Sequence, residues 1–148
     1  MREAMLDALA HARRAPEHDD VPVGAVVVRL SDHEVVARAH NARERDRDPS
    51  AHAELYALRD AARRAGSWRL DGHALVVTLE PCPMCAGAAW AARLALLVFG
   101  AADPKAGAAG SLYNLAADPR LNHELEVVPG VLGDECGELL RTFFAARR

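Results

Sequence analysis

The chain of 148 residues carries a formal net charge of −3, with 51% hydrophobic and 26% charged residues. These values exclude a disordered or collagen-like chain and a protein coated in positive charge for nucleic acids, but they leave room for a local basic patch. Because the length is close to the roughly 150 residues of one domain, we predict a single domain over residues 1–148.

Hydrophobic periodicity predicts four helices and five strands. In chain order they are helix 1–14, strand 21–30, strand 34–39, helix 51–64, strand 74–79, helix 83–93, strand 94–99, strand 125–128 and a closing helix over 136–144. Segments 41–48 and 103–111 are predicted loops. The alternation of strands and helices favours α/β layers with helices on both faces of the sheet.

Local signals set the ends of the middle helices. Ser50 is a candidate cap for helix 51–64, and Gly66 is typical of a residue that ends it. Pro83 suits the first turn of the next helix, because its missing N–H has no helical partner there. An apolar stripe runs from Cys136 to Phe144 on the closing helix and predicts a face packed on the core.

The cysteines and the apolar segments indicate the cellular compartment of the protein. Three cysteines, two of them in one C-x-x-C pair, are too few for the disulfide framework of a secreted protein. The first residues lack the apolar centre of a secretory signal. Residues 84–102 are apolar, but Arg93 in their middle favours a buried helix followed by a strand over a membrane span. We therefore expect a cytoplasmic protein with no membrane segment.

The strongest chemical signal is a His-x-Glu sequence followed by Pro-Cys-x-x-Cys, each at the start of a predicted helix. His52, Cys82 and Cys85 offer three donors that suit Zn²⁺, and three protein ligands leave a fourth position for water, as in catalytic sites. Such a site lowers the pKa of its water to about 7. The positive ends of two helices would favour the thiolate forms of the cysteines.

Glu54 lies two positions after His52 and is not needed as a ligand. From the first helical turn its carboxyl can reach the open side of the metal, where it would carry protons between water and substrate. Cys136, the remaining cysteine, fits the core better than the metal. Two other interpretations of the cysteine pair stay open: a structural zinc site in a non-catalytic RNA-binding module, and thiol redox chemistry.

These motifs resemble the zinc deaminases, whose signature is H-x-E followed by P-C-x-x-C. The chain is more specifically similar to the bacterial tRNA adenosine deaminases. The matching stretches spread over nearly the whole chain: VPVGAVVV (21–28), HN (40–41), DPSAHAEL (48–55), LEPCPMCAGA (79–88), VFGAADPKAGAAGSL (98–112), NH (122–123) and ELLRTFF (138–144).

The resemblance implies a cytidine deaminase-like fold with three α/β/α layers around a five-stranded mixed sheet. It further implies one Zn²⁺ per subunit, a homodimer, and hydrolytic conversion of adenosine to inosine at the wobble position of a tRNA anticodon. An arginine tRNA is the implied substrate. Deaminases of free guanine or cytidine share the zinc motifs, so a free base or nucleoside is the alternative substrate.

Roles for individual residues also follow from the resemblance. It makes His52, Cys82 and Cys85 zinc ligands and Glu54 the proton carrier. It also implies that the substrate is contacted by Asn41, Ala53, Asp103 and Lys105. Asn41 would hydrogen-bond the flipped base, although its position between two elements equally suits a turn cap. Asp103 would accept a hydrogen bond from a ribose 2′-hydroxyl, one way to prefer RNA over DNA.

Two groups of arginines are candidates for contacts with the RNA backbone. The first alternates with acidic residues and is expected to be a self-neutralised, solvated loop: Arg43, Arg45 and Arg47. The second lies near the C-terminus and is the better candidate: Arg141, Arg147 and Arg148.

Aromatic residues give weaker signals. Phe143 and Phe144 point about 100° apart on a helix, so one of them is free to face the substrate. Trp68 and Trp90 are expected in the core, and His123 is an open candidate because of its place in the matching Asn-His pair.

Overall fold

The computed structural model describes residues 1–147 and places the chain around one five-stranded sheet. The elements, in chain order, are α1 (Arg2–Ala12), a 3₁₀ turn (Ala15–His18), β1 (Gly24–Arg29), β2 (Glu34–His40), α2 (Arg43–Asp46), α3 (Ala53–Ala65), β3 (His73–Leu79), α4 (Pro83–Ala91), β4 (Leu96–Ala101), β5 (Glu126–Val128) and α5 (Gly133–Ala145). Within residues 1–147 no helix has the length and apolar character needed to cross a membrane.

The sheet is mixed, as expected from the resemblance. Its strand order is β2-β1-β3-β4-β5, with β1 antiparallel to both neighbours and β3, β4 and β5 parallel. Parallel neighbours need crossover connections, and α4 supplies the one between β3 and β4. The first loop after the central strand β3 therefore leads directly into a helix at one end of the sheet.

Two apolar cores lie on opposite faces of the sheet and confirm the three-layer architecture. Ala25 and Val27 of β1 pack with residues of α3 and α4, whereas Val26 and Val28 pack with residues of α1 and α5. Successive strand residues point to opposite faces, so a strand covered on both sides is apolar at nearly every position. This explains the uninterrupted hydrophobic run that predicted β1.

Gly24 allows α1 to cross close to the sheet. A Cβ at this position would overlap the backbone of Ala8 and Ala12 in α1. The Gly24 backbone N–H also donates to the buried Thr78 hydroxyl at 3.1 Å, which joins the start of β1 to β3. A larger residue here would push the helix off the sheet.

The start of α3 differs from the expectation for Ser50. The helix begins at Ala53, and the Ser50 hydroxyl and N–H both bond the Asp48 carboxylate at 2.8 Å. The backbone N–H of Ala53 at the helix start instead donates to Asn41 Oδ1 at 2.9 Å. The cap prediction was wrong because a local aspartate competes for the serine. The predicted end at Gly66 is confirmed, with φ of 66°.

Other differences concern a loop and a tryptophan. Segment 41–48 contains the short helix α2, whose first amides donate to the buried Asp20 carboxylate. Trp68 was expected in the core but is 61% exposed. Trp90 is partly buried and packs against the core. Strand and helix ends differ from the predicted ones by up to three residues, as at β1, where 21–30 becomes Gly24–Arg29.

Candidate metal centre and active site

Three metal-binding side chains meet where α3 and α4 begin. His52 Nδ1 lies 3.7 Å from Cys82 Sγ and 3.4 Å from Cys85 Sγ, and all three donor atoms lie within 4.8 Å of one another. His52 and Cys82 occupy the N-cap positions of the two helices, and the buried Cys85 is in the first turn of α4. The sheet brings the helix ends together because α3 packs over β1 and β2 and α4 directly follows β3.

These distances fit a tetrahedral zinc ion. Bond lengths of about 2.3 Å for Zn–S and about 2.05 Å for Zn–N give N···S edges of roughly 3.6 Å. The two observed His52–cysteine distances, 3.7 and 3.4 Å, bracket that value. Two thiolates and a neutral imidazole also balance the charge of Zn²⁺. The donor set and its spacing therefore suit zinc with one position left for water.

Electrostatics at the cysteines favour a metal-binding thiolate. The hydrogen bond from Cys85, together with that from His52, lowers the pKa of Cys82 to about 4. The same bond to Cys82 and burial raise the pKa of Cys85. The hydrogen bond to Cys82 raises the pKa of His52. A divalent cation bound by this set would favour the deprotonated form of both thiols.

Glu54 is the second residue of α3 and is only 4% exposed. It lines a cavity of about 190 Å³ together with His52 and Cys82. Burial raises the pKa of Glu54, which outweighs the opposing effect of its own backbone N–H and of the His52 charge. A carboxyl with a raised pKa beside a metal site has the property required of a general acid and base.

Asn41 lies in the same cavity and is 8% exposed. Its Oδ1 accepts from the Ala53 backbone N–H, so the turn-cap interpretation is realised. No hydrogen bond from its amide nitrogen forms within residues 1–147, so the NH₂ group can still serve a ligand. Ala53 itself is fully buried and its N–H is already bonded, and its predicted substrate contact stays a prediction.

Asp103 also lines the cavity, on the loop that follows β4. Its Oδ1 accepts from the backbone N–H groups of Lys105, at 3.0 Å, and Ala106, at 3.3 Å. One carboxylate oxygen thus shapes the loop while Oδ2 makes no such bond. Lys105 is exposed and lies next to the cavity rather than in its lining. The structure therefore groups Asn41, Glu54 and Asp103 with the metal donors.

Glu80 is a site residue that the motif analysis missed. It is 2% exposed at the end of β3, and its carboxylate accepts from the backbone N–H groups of Asp103 (3.1 Å), Ala109 (3.0 Å) and Ser111 (3.1 Å). The Ser111 hydroxyl donates to it as well. Burial alone would raise the pKa of Glu80, but these bonds lower it. The available signal was an acidic residue closing an otherwise apolar buried strand.

The arginines predicted to contact RNA differ in whether they form ion pairs. Arg45 pairs with Asp46 at 2.9 Å, as a self-neutralised loop requires, but Arg43 makes no ion pair within residues 1–147 and lines the cavity. Arg141 pairs with Glu138, and Arg147 donates to Asp19. Arg148 lies outside the described residues. Backbone contacts by this second group stay a prediction.

The aromatic and histidine candidates near the C-terminus differ in exposure and in contacts. Phe143 is 8% exposed and its neighbour Phe144 is 49% exposed, so only one belongs to the core. His123 Nε2 donates to the Leu94 carbonyl at 2.7 Å, which fixes the loop before β5 against the start of β4. Cys136 is buried in the core, as expected.

Comparisons with known proteins point to one family. A family model described as the cytidine and deoxycytidylate deaminase zinc-binding region matches residues 1–101. The chain is 49% identical to a tRNA-specific adenosine deaminase of Bacillus subtilis (strain 168) over 144 residues, which are 97% of this chain and 88% of that protein.

Solved structures agree with this result. One, from a study of A-to-I editing by tRNA:A34 deaminases at the wobble position of transfer RNA, has a TM-score of 0.89 and 42% identity, covering 95% of this chain and 100% of that one. A guanine deaminase from Nitrosomonas europaea has a TM-score of 0.80 and 25% identity, over 97% of this chain and 84% of that one. The chain therefore belongs to the zinc-dependent cytidine and deoxycytidylate deaminase family, in its branch of tRNA-specific adenosine deaminases.

Proposed function

We propose that this protein is a zinc-dependent hydrolase that converts adenosine to inosine at the wobble position of a tRNA anticodon. The observation that carries the proposal is the placement of a buried Glu54 carboxyl beside the His52, Cys82 and Cys85 donors in one small cavity. The similarity over nearly the full chain to a tRNA-specific adenosine deaminase supports the adenosine substrate.

In this mechanism His52, Cys82 and Cys85 would hold a zinc ion, which when bound would make a water molecule acidic enough to react at neutral pH. Glu54 accepts a proton from that water and delivers it to the adenine ring as the oxygen adds to C6. The carboxylate then takes the proton of the new C6 hydroxyl and passes it to the amino group, so that the C6–N bond breaks, C6=O forms and ammonia leaves. The burial that raises the pKa of Glu54 allows it to hold the proton between these steps.

The remaining cavity residues would orient the flipped nucleotide. We assign the base contact to the Asn41 amide nitrogen, since Oδ1 is committed to the start of α3. Ala53 would contribute indirectly, through its N–H bond to Asn41 Oδ1, and Lys105 would contact the phosphate backbone of the anticodon loop. Asp103 would accept a ribose 2′-hydroxyl with Oδ2. Asp103→Asn should then lower the ratio of RNA to DNA turnover, and an unchanged ratio would remove this role.

We further propose a homodimer formed by an apolar face on α3 and α4. Leu55, Leu58 and Ala88 line a shallow cavity of about 280 Å³ on this face, beside the 61% exposed Trp68. An exposed tryptophan next to apolar residues is typical of an interface. Trp68→Glu should yield a monomer by light scattering, whereas a wild-type monomer at micromolar concentration would contradict the proposal.

An arginine tRNA as substrate, the cytoplasm as compartment and a single domain over residues 1–148 complete the proposal. The similarity to a tRNA-specific adenosine deaminase supports a tRNA substrate, and the one five-stranded sheet supports a single domain. The arginine tRNA is tested by comparing purified tRNAs that carry adenosine at the wobble position. The expected result is that an arginine tRNA is deaminated fastest.

The central experiment measures inosine formed by the zinc-loaded protein on an anticodon hairpin with adenosine at the wobble position. A hairpin with guanosine there, and free guanine, cytidine and adenosine, serve as controls. Inosine from the adenosine hairpin alone would support the proposed substrate. Guanine turnover with the hairpin untouched would favour the second candidate, a free-base deaminase, which the similarity to the guanine deaminase makes worth testing.

A further inference from the structure

A second concavity lies beside the zinc cavity, along the edge strand β2. It has a volume of about 520 Å³ and is lined by residues of α1, β2, α2 and α3 and of the segment after α1. One carboxylate, Asp60, lines it. We call it the arginine groove, after its five arginines: Arg14, Arg38, Arg45, Arg59 and Arg63.

Positive charge in the arginine groove is only partly neutralised. Arg38 pairs with Asp7 and Arg45 with Asp46, while the groove's own Asp60 is paired with Arg64. The other three groove arginines form no ion pair within residues 1–147: Arg14, Arg59 and Arg63. These three unpaired positive charges contrast with the net charge of −3 of the whole chain. A concave surface of one sign concentrates the electric field and attracts a ligand of the opposite sign.

The groove and the zinc cavity share two structural elements. At the end of β2, His40 lines the groove and the next residue, Asn41, lines the cavity. On α3, Glu54 belongs to the cavity and Arg63 to the groove. From Glu54 to Arg63 the helix rises roughly 14 Å at 1.5 Å per residue, so the groove extends away from the zinc cavity along α3.

We propose that the arginine groove binds phosphates of the same RNA whose adenosine enters the zinc cavity, several nucleotides away from it. This inference rests on the proposed function. Guanidinium groups suit phosphate because they donate two parallel hydrogen bonds and stay charged. Arginines spread along the groove, on β2, α2 and α3 and after α1, fit a polyanion better than a single anion. The groove would thus add affinity and register without reading the base sequence.

The test replaces two groove arginines from different elements, in Arg14→Gln/Arg63→Gln. Both side chains are exposed and unpaired, so the fold should tolerate the change. The matched control, Arg2→Gln/Arg13→Gln, removes the same charge from exposed residues outside the groove. Arg59 is left unchanged because it also lines the apolar face of α3 and α4.

Binding of the anticodon hairpin is measured at several KCl concentrations, together with kcat and KM for deamination. If each replaced arginine meets one phosphate, the slope of log K against log salt falls by about 1.4 to 1.8 in the groove variant. KM should rise while kcat is retained, because the zinc cavity is intact. Equal slopes and affinities in the groove variant and the control would overturn the proposal.

Two further arms separate the possible outcomes. Adding inorganic phosphate at matched ionic strength should leave the difference in hairpin affinity between the groove variant and the control unchanged. If that difference disappears, the groove binds a free anion instead of RNA. If no protein forms inosine from the hairpin, the proposed function fails. The binding slopes still decide the groove in that case, because they require no chemistry.

Discussion

Two buried glutamates face the same cavity and have opposite properties. Glu54, in the first turn of α3, is 4% exposed, and Glu80, at the end of β3, is 2% exposed. Burial raises the pKa of Glu54, but for Glu80 the effect of burial is outweighed by hydrogen bonds from Ser111 and from the loop amides, which lower its pKa. Burial alone does not decide what a carboxyl can do. The depth of burial and the hydrogen-bond donors around it together decide its pKa.

This contrast in pKa indicates different roles for the two carboxyls in the cavity. A carboxyl with a raised pKa can hold and release a proton, so Glu54 is suited to catalysis. Glu80 accepts four hydrogen bonds from the loop after β4 and is suited to holding Asp103 beside the metal donors. Replacing each carboxylate with its amide should therefore damage different properties of the protein.

The largest expected effect is that of Glu54→Gln on catalysis. Glutamine cannot carry a proton, so inosine formation should fall by about 10²- to 10⁴-fold. Zinc content and melting temperature should stay at the wild-type level, because glutamine has nearly the same shape as glutamate. Turnover near the wild-type rate in a zinc-loaded variant would refute the assigned role.

Glu80→Gln should mainly affect stability and substrate affinity. An amide NH₂ would face the donors that now meet a carboxylate, leaving buried groups unsatisfied at a cost of about 1–3 kcal/mol. The free energy of unfolding in urea measures this loss, and KM for the hairpin should rise as the loop loosens. The control is Glu124→Gln, at an exposed position. Equal losses in both variants would show that Glu80 is not an anchor.

Ser111→Ala tests one contact of the same anchor. Only the hydroxyl is removed, while the backbone N–H of residue 111 still reaches Glu80, so the expected loss is about 1 kcal/mol. Ser31→Ala, at an exposed turn position, is the control. A loss as large as that of Glu80→Gln would mean that the hydroxyl, rather than the set of donors, holds the loop.

The smallest effect is a pH dependence of the Glu80 contribution. Its pKa is lowered in the folded protein, so the ionised carboxylate stabilises the fold above the ordinary glutamate value of 4.5. That stabilisation is lost as the pH falls through the lowered folded-state pKa. The difference in unfolding free energy between wild type and Glu80→Gln should shrink over this range. A difference independent of pH would point to packing instead.

How far the sequence predicts the fold depends on the range of the interactions involved. Strand β1 and the end of α3 at Gly66 follow from local rules, and both were predicted. The start of α3 was misplaced because its first N–H is satisfied by Asn41, 12 residues away. Trp68 was misplaced because composition does not tell an internal core from an external apolar face.

The candidate site shows the same limit. His52, Cys82 and Cys85 were predictable because their chemistry and spacing are distinctive. Glu80 was not, since its partners are 23 to 31 residues further along and are mostly backbone amides, which no residue type reveals. Arg43 was hidden for a different reason: its acidic neighbours in sequence are not its neighbours at the cavity.

The position of the zinc donors on either side of β3 has a consequence for the order of assembly. His52 and Cys82 are 30 residues apart, and the strand between them lies in the middle of the sheet. In the native arrangement the three donors meet only when β3 lies beside β1, so zinc binding by all three is linked to the centre of the sheet being formed. During synthesis, a nascent chain that has not yet released Cys85 from the ribosome has no complete site. A bound zinc ion would stabilise this topology by joining the starts of α3 and α4.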